Sequence, residues 1–416
     1  MSPGDLLRAI TRLALRVQRL RPGVLDGPCH APELVSEVAA EAPPSPSELV
    51  ATAVALRREV AVAGLAPPAA AYWDALLVAL HCHARTLDGD RPGYLDEVRA
   101  LFGVRPRRTD PDRHREAHRV LGELLPGRGP VGPRMQAYRE ADLVPPGLLG
   151  AAAAALTAEL RRRTGDRLGL PPGERVDLEL VGGRPWTAFT RYRGGLRSRV
   201  SISTDARVRA GALLPLLAHE TYPGHHTQYC RAELAATRHP ELALRLVHSP
   251  QGLIAEGAAE VAATVLPGPG WGALAQRVLA EVGVRIDGPL AERIEAGLEL
   301  LGRVRQDAAL LRHVDGAGPD EVVGYLMRWL LLSEARARRV LAFLDHPQWR
   351  SYPVTYAEGA PLVRGWLSRA PDGPVAGLRM LLDTPVLPAD LAAGGGATID
   401  NASGVAVPAG AGPAQL

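Results

Sequence analysis

The sequence predicts a mainly α-helical protein, built as one large helical domain with a small β-sheet next to one distinctive helix. Long segments rich in alanine, leucine and arginine carry apolar residues at helical spacing, and clusters of proline and glycine separate them. Only the region between residues 176 and 203 alternates apolar and polar residues as strands do. These three observations set the expected fold class.

The first helix is expected near residue 1, where Leu6, Ile10, Leu13 and Val17 follow helical spacing. Arginines interrupt this apolar face, so the segment lacks the unbroken apolar stretch of a signal peptide. No other stretch is long and apolar enough to predict a membrane span. Further helices are expected at residues 47–62, 70–86, 110–125 and 146–164.

Two short strands are expected after these helices. Residues 176–180 alternate apolar and polar side chains, and residues 200–203 do so again after a glycine-rich turn. Helical spacing then returns and continues to about residue 383. The small sheet is therefore expected directly before the helix that carries the most reactive side chains.

We expect a single domain over residues 1–390. Residues 1–170 form its N-terminal helical part, and residues 171–390 form the part that carries the candidate site. Residues 391–416 are rich in glycine, alanine and proline. Such a segment buries little apolar surface, so we expect this tail to be disordered.

Composition excludes several classes of protein. The 48 basic and 45 acidic residues leave a net charge of +3, which is too small to favour nucleic acid or an anionic membrane. All the basic residues are arginine, so no lysine can act as a Schiff base or general base. The three cysteines, Cys29, Cys82 and Cys230, lie far apart, which argues against disulfides or a thiolate metal site. We expect a cytoplasmic protein of undetermined oligomeric state.

The most distinctive segment, residues 219–226, reads His-Glu-Thr-Tyr-Pro-Gly-His-His and follows an apolar run. A His-Glu pair at the end of an apolar helix is typical of zinc hydrolases. We expect His219 to bind the metal and Glu220 to take a proton from the attacking water. In the usual form of this motif a second histidine follows four residues after the first, but that position is Pro223 here.

An unbroken helix cannot bring a second histidine of this segment to the metal. At about 100° per residue, His225 lies about 240° around the axis from His219, and His226 lies about 10.5 Å along it. Pro223 interrupts helical hydrogen bonding, and Gly224 permits a positive φ. A local bulge at these two residues can return His225 to the metal.

A catalytic zinc ion has three protein ligands and one open position, so one more ligand is required. A later helix offers Glu256 and Glu260, four residues apart on one face. We expect Glu256 to bind the metal and Glu260 to orient one of the histidines. The small residues 257–259 would let this helix approach the helix that carries His219 closely.

The segment resembles a bacterial family known as "domain of unknown function 885". The family signature is H-E-x-x-P-G-H followed by a glutamine three residues later, and this sequence matches it at residues 219–225 and at Gln228. The family's E-G-W-A segment is matched at residues 256–259, with Ala258 in place of tryptophan. Its late S-Y-x-x-G element is matched at residues 355–359, with threonine in place of serine.

This resemblance covers mainly residues 175–370 and implies a zinc metallopeptidase of the thermolysin-like, Glu-liganded kind, with a single Zn²⁺. The residue after the second histidine varies in the family, which favours His225 over His226 as ligand. His226 and Gln228 are then expected near the ligands or in the pocket.

Tyr356, inside the S-Y-x-x-G-like element, is the expected oxyanion donor. When water attacks a carbonyl, negative charge develops on its oxygen, and a phenol O–H directed there stabilises the transition state. Tyr352 and Arg350 are rivals for this task or members of the pocket. The strand at residues 199–204 is expected to present an edge that aligns an extended peptide.

Two other groups of histidines are weaker metal candidates. His114 and His118 lie four residues apart but are flanked by arginines, so we interpret them as part of a solvated helix face. His81 and His83 lie two residues apart and point to different helix faces.

The leading hypothesis is therefore a zinc-dependent, metallopeptidase-like hydrolase that acts on short peptides or amide-linked small molecules. One alternative keeps the metal but acts as a hydrolase or lyase on a specialised metabolite. Another is a non-catalytic helical binding protein, but Glu220 has no purpose beside a metal ligand unless water is activated there.

Overall fold

The computed structural model describes residues 2–29, 31–184 and 186–393 and confirms a mainly α-helical protein with one small sheet. Residues 394–416, most of the tail expected to be disordered, lie outside the described residues. Residues 391–393, which the sequence assigned to that tail, are instead the end of the last helix. Among the described helices, none has the length and apolar character needed to cross a lipid bilayer.

Many helices begin with a proline in their first turn or with a side chain that caps it, so local sequence sets their starts. The α-helices of the described chain are, in order, α1 (Pro3–Leu20), α2 (Pro32–Ala40), α3 (Pro46–Val62), α4 (Pro67–Leu87), α5 (Tyr94–Phe102), α6 (Pro111–Leu124), α7 (Val131–Ala141), α8 (Leu149–Arg167), α9 (Ala210–Glu220), α10 (His225–Ala235), α11 (Pro250–Glu260), α12 (Ala262–Val265), α13 (Trp271–Glu281), α14 (Gly288–Glu299), α15 (Val304–His313), α16 (Pro319–Leu330), α17 (Glu334–Leu344), α18 (Ala360–Leu367), α19 (Gly373–Asp383) and α20 (Pro388–Ala393). Short 3₁₀ turns occupy Pro146–Leu148, Thr204–Ala206 and Pro240–Ala243, and a π-helical turn, Thr355–Gly359, runs directly into α18.

The sheet has three strands, β1 (Arg175–Val181), β2 (Ala188–Gly194) and β3 (Arg197–Ser203), in the order β1-β3-β2. Strand β1 is parallel to β3, and β2 is antiparallel to it. The sequence did not predict β2, because its outward side chains include Phe189 and hide the alternation.

The expectation that residues 199–204 form a free edge is wrong. Strand β3 lies in the middle of the sheet and pairs with a strand on each side. The strand at the edge nearest to the candidate site is β2, whose Thr190 hydroxyl contacts the end of α9.

The helices pack around two hydrophobic clusters. The larger one joins helices from both ends of the chain and includes Leu253 and Ala258 of α11. The second one packs α8, α9 and α13 against the sheet and includes Leu214 and Ala218 of α9. Helices α9 and α11 therefore belong to different clusters and contact each other where the two clusters adjoin.

Candidate metal site

The chain breaks between the two histidines of the motif. Helix α9 ends at Glu220, the Tyr222–Pro223 peptide bond is cis, and α10 begins at His225. The helix therefore ends and restarts, which differs from the single bulge expected from the sequence. The break turns the side chain of His225 toward that of His219, and their ring centroids lie 4.6 Å apart.

Gly224 is needed for a different reason from the one expected. Its φ is −72°, so it does not use the positive φ that glycine permits. A Cβ atom at this position would lie 1.9 Å from the carbonyl oxygen of His219 and 2.4 Å from that of Ala218. The close approach of the turn to the end of α9 therefore excludes any side chain here.

Three side chains from three helices converge at the break. The ligand atoms offered by His219 of α9, His225 of α10 and Glu256 of α11 all lie within 4.8 Å of one another. His219 Nε2 lies 3.6 Å from Glu256 Oε2, and His225 Nε2 lies 3.4 Å from Glu256 Oε1. Ligands bound tetrahedrally at about 2.1 Å are about 3.4 Å apart, so these separations suit a zinc-like ion.

Both histidines have partners that direct Nε2 toward this point. His225 Nδ1 lies 3.1 Å from Gln228 Oε1, and Gln228 in turn donates to the carbonyl of Ala255 at 2.8 Å. His219 Nδ1 lies 3.4 Å from Glu260 Oε1. With Nδ1 facing these acceptors, each ring directs its Nε2 toward the point where a metal would lie.

Glu256 is buried, and one of its oxygens has no partner. Tyr352 donates its hydroxyl to Oε1 at 2.7 Å, while Oε2 is buried without a hydrogen bond from any described residue. Burial favours the neutral acid, but the charges of His225 and His219 outweigh it and hold the pKa of Glu256 well below its ordinary 4.5. Burial opposes charge on His225 as well, yet Glu256 raises the pKa of His225 well above its ordinary 6.5.

The donor set fits a divalent cation. Two imidazoles and one carboxylate are the ligands that zinc takes in many hydrolases. A buried carboxylate oxygen without a hydrogen bond requires an explanation, and a cation between the three side chains supplies one. His219, His225 and Glu256 would hold this ion.

Glu220 lies next to the three candidate ligands and is not one of them. It is buried, and the Thr190 hydroxyl lies 2.5 Å from Glu220 Oε2 and 2.8 Å from the Glu220 carbonyl oxygen. Thr190 was not foreseen from the sequence, because strand β2 was not predicted.

Tyr356 faces the same region from the π-helical turn. Its ring centroid lies 5.6 Å from that of Tyr352. Burial and the carboxylates of Glu256, Glu260 and Glu220 raise the pKa of Tyr356 well above its ordinary 10, so the phenol keeps its proton. Within the described chain the Tyr356 hydroxyl has no hydrogen-bond partner, whereas the Tyr352 hydroxyl is already bonded to Glu256.

Two glycines bring the π-helical turn that carries Tyr356 against α11. A Cβ atom on Gly257 would lie 2.4 Å from the carbonyl of Gly359, and one on Gly359 would lie 2.5 Å from the carbonyl oxygen of Leu253. The small residues 257–259 were expected to let α11 approach α9 closely. The close approach occurs at Gly257, but the segment that Gly257 contacts is the π-helical turn Thr355–Gly359, which we call the Tyr356 turn. This contact fixes the spacing between Glu256 and Tyr356.

Arg350 does not belong to the site. Its guanidinium pairs with Glu97 and donates to the carbonyl of Pro92 at 3.2 Å. An arginine committed to a buried carboxylate on another helix cannot also stabilise an oxyanion beside Glu256.

His226 points away from the metal ligands into a separate buried network. Its Nε2 lies 2.8 Å from Glu174 Oε2, and its Nδ1 lies 2.8 Å from the Ser198 hydroxyl. Tyr222 and Arg161 also donate to Glu174. His226 therefore does not line the site as a pocket residue would, and it acts on His225 only through the first turn of α10, which carries both histidines.

The order Ser198–His226–Glu174 looks like that of a nucleophilic triad, but all three side chains are buried. A serine closed off from solvent cannot reach a substrate. The network instead anchors the first turn of α10, which carries His225, to strand β3 and to the segment that precedes β1.

The interpretation of His114 and His118 as a solvated face is also wrong. His114 is fully buried, and its Nε2 lies 3.2 Å from Asp307 Oδ2. His118 Nε2 lies 3.0 Å from the carbonyl oxygen of Trp329. Both rings also pack against Trp329 of α16, with centroid separations of 5.2 Å for His114 and 5.4 Å for His118, so they join α6 to its neighbouring helices.

Helix α9, which carries His219, is anchored at its start by Asp142. The Asp142 carboxylate accepts from Gly211 N at 3.1 Å, and Arg209 Nη1 lies 3.6 Å from Asp142 Oδ2. Burial outweighs these contacts and raises the pKa of Asp142 from 3.8 to about 6.

This raised pKa predicts how stability depends on pH. The folded protein holds the Asp142 proton more tightly than the unfolded chain does. Ionisation of Asp142 therefore leaves the free energy of unfolding unchanged below about pH 4, lowers it progressively as the pH rises, and has its full effect above about pH 6. The unfolding free energy of wild type, minus that of Asp142→Asn, should therefore fall between pH 4 and pH 7, by an amount on the order of 2–3 kcal/mol. Chemical denaturation at several pH values measures it, and a constant difference would contradict the raised pKa.

Comparisons with known proteins give a fold and no family. No protein-family model matches the chain, and no curated protein sequence matches it. The structure of a "putative lipoprotein" from Colwellia psychrerythraea aligns with 82% of this chain at a TM-score of 0.51 and 16% sequence identity. The alignment spans 65% of the length of the Colwellia protein.

A second structure, of a "putative lipoprotein of unknown function" from Shewanella oneidensis, aligns with 85% of this chain and 76% of its own. Its TM-score is 0.46 and its identity is 15%. Similarity to the Colwellia protein at such low identity shows a shared fold, and a fold does not establish an activity.

Proposed function

We propose that this protein is a metal-dependent hydrolase that cleaves peptide or amide bonds, with one zinc ion held by His219, His225 and Glu256. The observation that carries the proposal is the convergence of these three side chains beside Glu220, a buried carboxylate that is not a ligand. When bound, the ion would supply a Lewis acid for the scissile carbonyl.

Glu220 is proposed to act as the general base and then as the general acid. Thr190 holds one of its oxygens, so the other is free to accept the proton of the attacking water. The same carboxyl group then gives that proton to the leaving amine. This role favours catalysis over simple binding, because a non-catalytic metal site needs no such carboxylate.

Tyr356 is proposed to stabilise the oxyanion. Its retained proton and its lack of a partner among the described residues leave the hydroxyl free to donate to a developing negative charge. Tyr352 is less suited to this task, because its proton is already donated to Glu256.

A peptide is the proposed substrate because an edge strand runs past Glu220. Ser203 N donates to the Thr187 carbonyl, so by the alternation of an antiparallel pair the main-chain groups of Ala188 and Thr190 point away from β3. An extended peptide can add to such an edge through its own main-chain groups. The contact between Thr190 and Glu220 places this edge next to the proposed base.

We also infer that the chain belongs to the family known as "domain of unknown function 885". Support comes from the motif residues and not from the comparisons above. His219, His225, Gln228, Glu256 and Tyr356, which carry the sequence resemblance, lie around one point.

The test combines metal titration with a peptide-library digest of the purified protein. We expect one zinc ion per chain, cleavage that stops on chelation, and recovery when zinc is returned. The variant His219→Ala should lose both metal binding and cleavage. The control is His239→Ala, which should lose neither, because the His239 side chain lies on a turn and makes no hydrogen bond in the described structure. Zinc binding without cleavage of any peptide or amide would refute the hydrolase.

A further inference from the structure

A narrow pocket adjoins the candidate metal site on the side of α10 and α11. We call it the Asp26 pocket, and its lining includes Asp26, Gln228, Tyr229, Arg245, Ile254 and Leu381. Gln228 both lines this pocket and holds His225. A group bound here would therefore lie directly beside the second metal ligand.

Asp26 is held rigidly at this position. Asp26 N donates to the Arg245 carbonyl at 3.0 Å, Val247 N donates to the Val24 carbonyl at 3.0 Å, and the two segments thus form a short antiparallel ladder. The Tyr229 hydroxyl donates to Asp26 Oδ1 at 2.7 Å. This leaves Asp26 Oδ2 without a hydrogen bond from any residue that the structure describes.

Asp26 is connected to the candidate metal site through Tyr229. The Tyr229 ring, whose hydroxyl binds Asp26, is stacked on the His225 ring with centroids 6.1 Å apart.

Arg245 also lines the pocket but is less available to a ligand. It is only 6% exposed, and its guanidinium carbon lies 4.7 Å from the Tyr229 ring centroid and 5.5 Å from that of Tyr192. Its Nη1 is buried and has no hydrogen-bond partner within the described structure. The charged group that an entering ligand can reach is therefore the half-buried carboxylate of Asp26.

We propose that the Asp26 pocket receives the amino terminus of the substrate and that Asp26 pairs with its ammonium group, which would make the protein an aminopeptidase. A primary ammonium is the group that complements a fixed, half-buried carboxylate. The apolar wall formed by Ile254 and Leu381 suits a small apolar first residue. This inference rests on the proposed peptide hydrolase and adds the end of the chain at which it acts.

The experiment uses the zinc-loaded protein and three forms of a peptide that it cleaves. The first form has both ends free, the second has an acetylated amino terminus, and the third has an amidated carboxyl terminus. A charge-assisted hydrogen bond of about 1.5–3 kcal/mol predicts that acetylation lowers kcat/KM by roughly 10–100-fold. Amidation should have no effect. Asp26→Asn should abolish the preference for the free amine, and Asp88→Asn, at an exposed position, should keep it.

A second measurement does not depend on turnover. Calorimetry with Glu220→Gln should show tighter binding of the free peptide than of the acetylated one. Equal cleavage of both peptides would overturn the amino-terminal assignment while leaving the hydrolase intact. Loss of activity on amidation would mean that Arg245 binds the carboxyl terminus of the peptide. A preference for peptides with an N-terminal lysine that survives acetylation would mean that Asp26 binds the lysine side chain. Either result overturns the inference. If no peptide is cleaved or bound, the proposed function fails with it.

Discussion

Replacing Glu220 with glutamine should abolish turnover while the protein still binds one zinc ion. Glutamine has nearly the same shape, and its amide oxygen can still accept from Thr190, so the local packing is retained. It cannot take a proton from water, and loss of a general base costs about 10²–10⁴-fold in kcat. Steady-state kinetics on a cleaved peptide, with the zinc content measured on the same sample, checks both halves of this expectation.

A matched change separates this effect from a general loss of charge. Glu321 is an exposed glutamate on α16, and Glu321→Gln should leave both kcat and the zinc content unchanged. If Glu220→Gln retained full activity on a peptide that the wild type cleaves, Glu220 would not be the base. If Glu220→Gln lost zinc together with activity, the Glu220 carboxylate would itself contribute to metal binding, which its position beside His219, His225 and Glu256 does not suggest.

The sequence was most informative where neighbouring residues act on the same point. His219 and Glu220 are adjacent, and Pro223 and Gly224 mark the break that lets His225 face His219. Such local rules act over a few residues, so spacing alone exposes them. The mainly α-helical class was predictable for the same reason, because helical periodicity is a local signal.

Residues that act across the chain were not predictable. Glu174 meets His226 across 52 positions, and Asp26 meets Tyr229 across 203. A buried glutamate and an exposed one look the same in a single sequence, and only packing separates them. The same limit explains why Arg350 was placed near the oxyanion although it pairs with Glu97, a residue on α5.

Gly257 and Gly359, which join α11 to the Tyr356 turn, were only partly predictable from the sequence. Each was visible in a sequence element, Gly257 after Glu256 and Gly359 after Tyr356, but their mutual contact was not. The structure supplies the physical reason for both: backbone meets backbone where Glu256 and Tyr356 must lie side by side.

Substituting Gly257 with alanine should therefore damage stability and the metal site together. The added methyl group would lie 2.4 Å from the main-chain carbonyl of Gly359, which cannot rotate away as a side chain can. Forced overpacking typically costs about 1–3 kcal/mol, and contact with backbone belongs at the upper end. The α11 helix must shift, and with it Glu256, so zinc affinity should fall by the roughly 10–100-fold that follows disturbance of groups orienting a ligand.

Gly324 provides the control, because it is an exposed glycine inside helix α16 with open space where its Cβ would lie. Gly324→Ala should keep zinc affinity and gain up to about 1 kcal/mol from helix propensity. Gly359→Ala should reproduce the defect of Gly257→Ala from the other side, since its Cβ would lie 2.5 Å from the Leu253 carbonyl oxygen. Thermal unfolding of the metal-free protein and competitive zinc titration measure the two effects separately. A Gly257→Ala protein with wild-type zinc affinity would mean that Glu256 is positioned without this contact, and that the spacing between Glu256 and Tyr356 is set by Tyr352 or by packing elsewhere along α11.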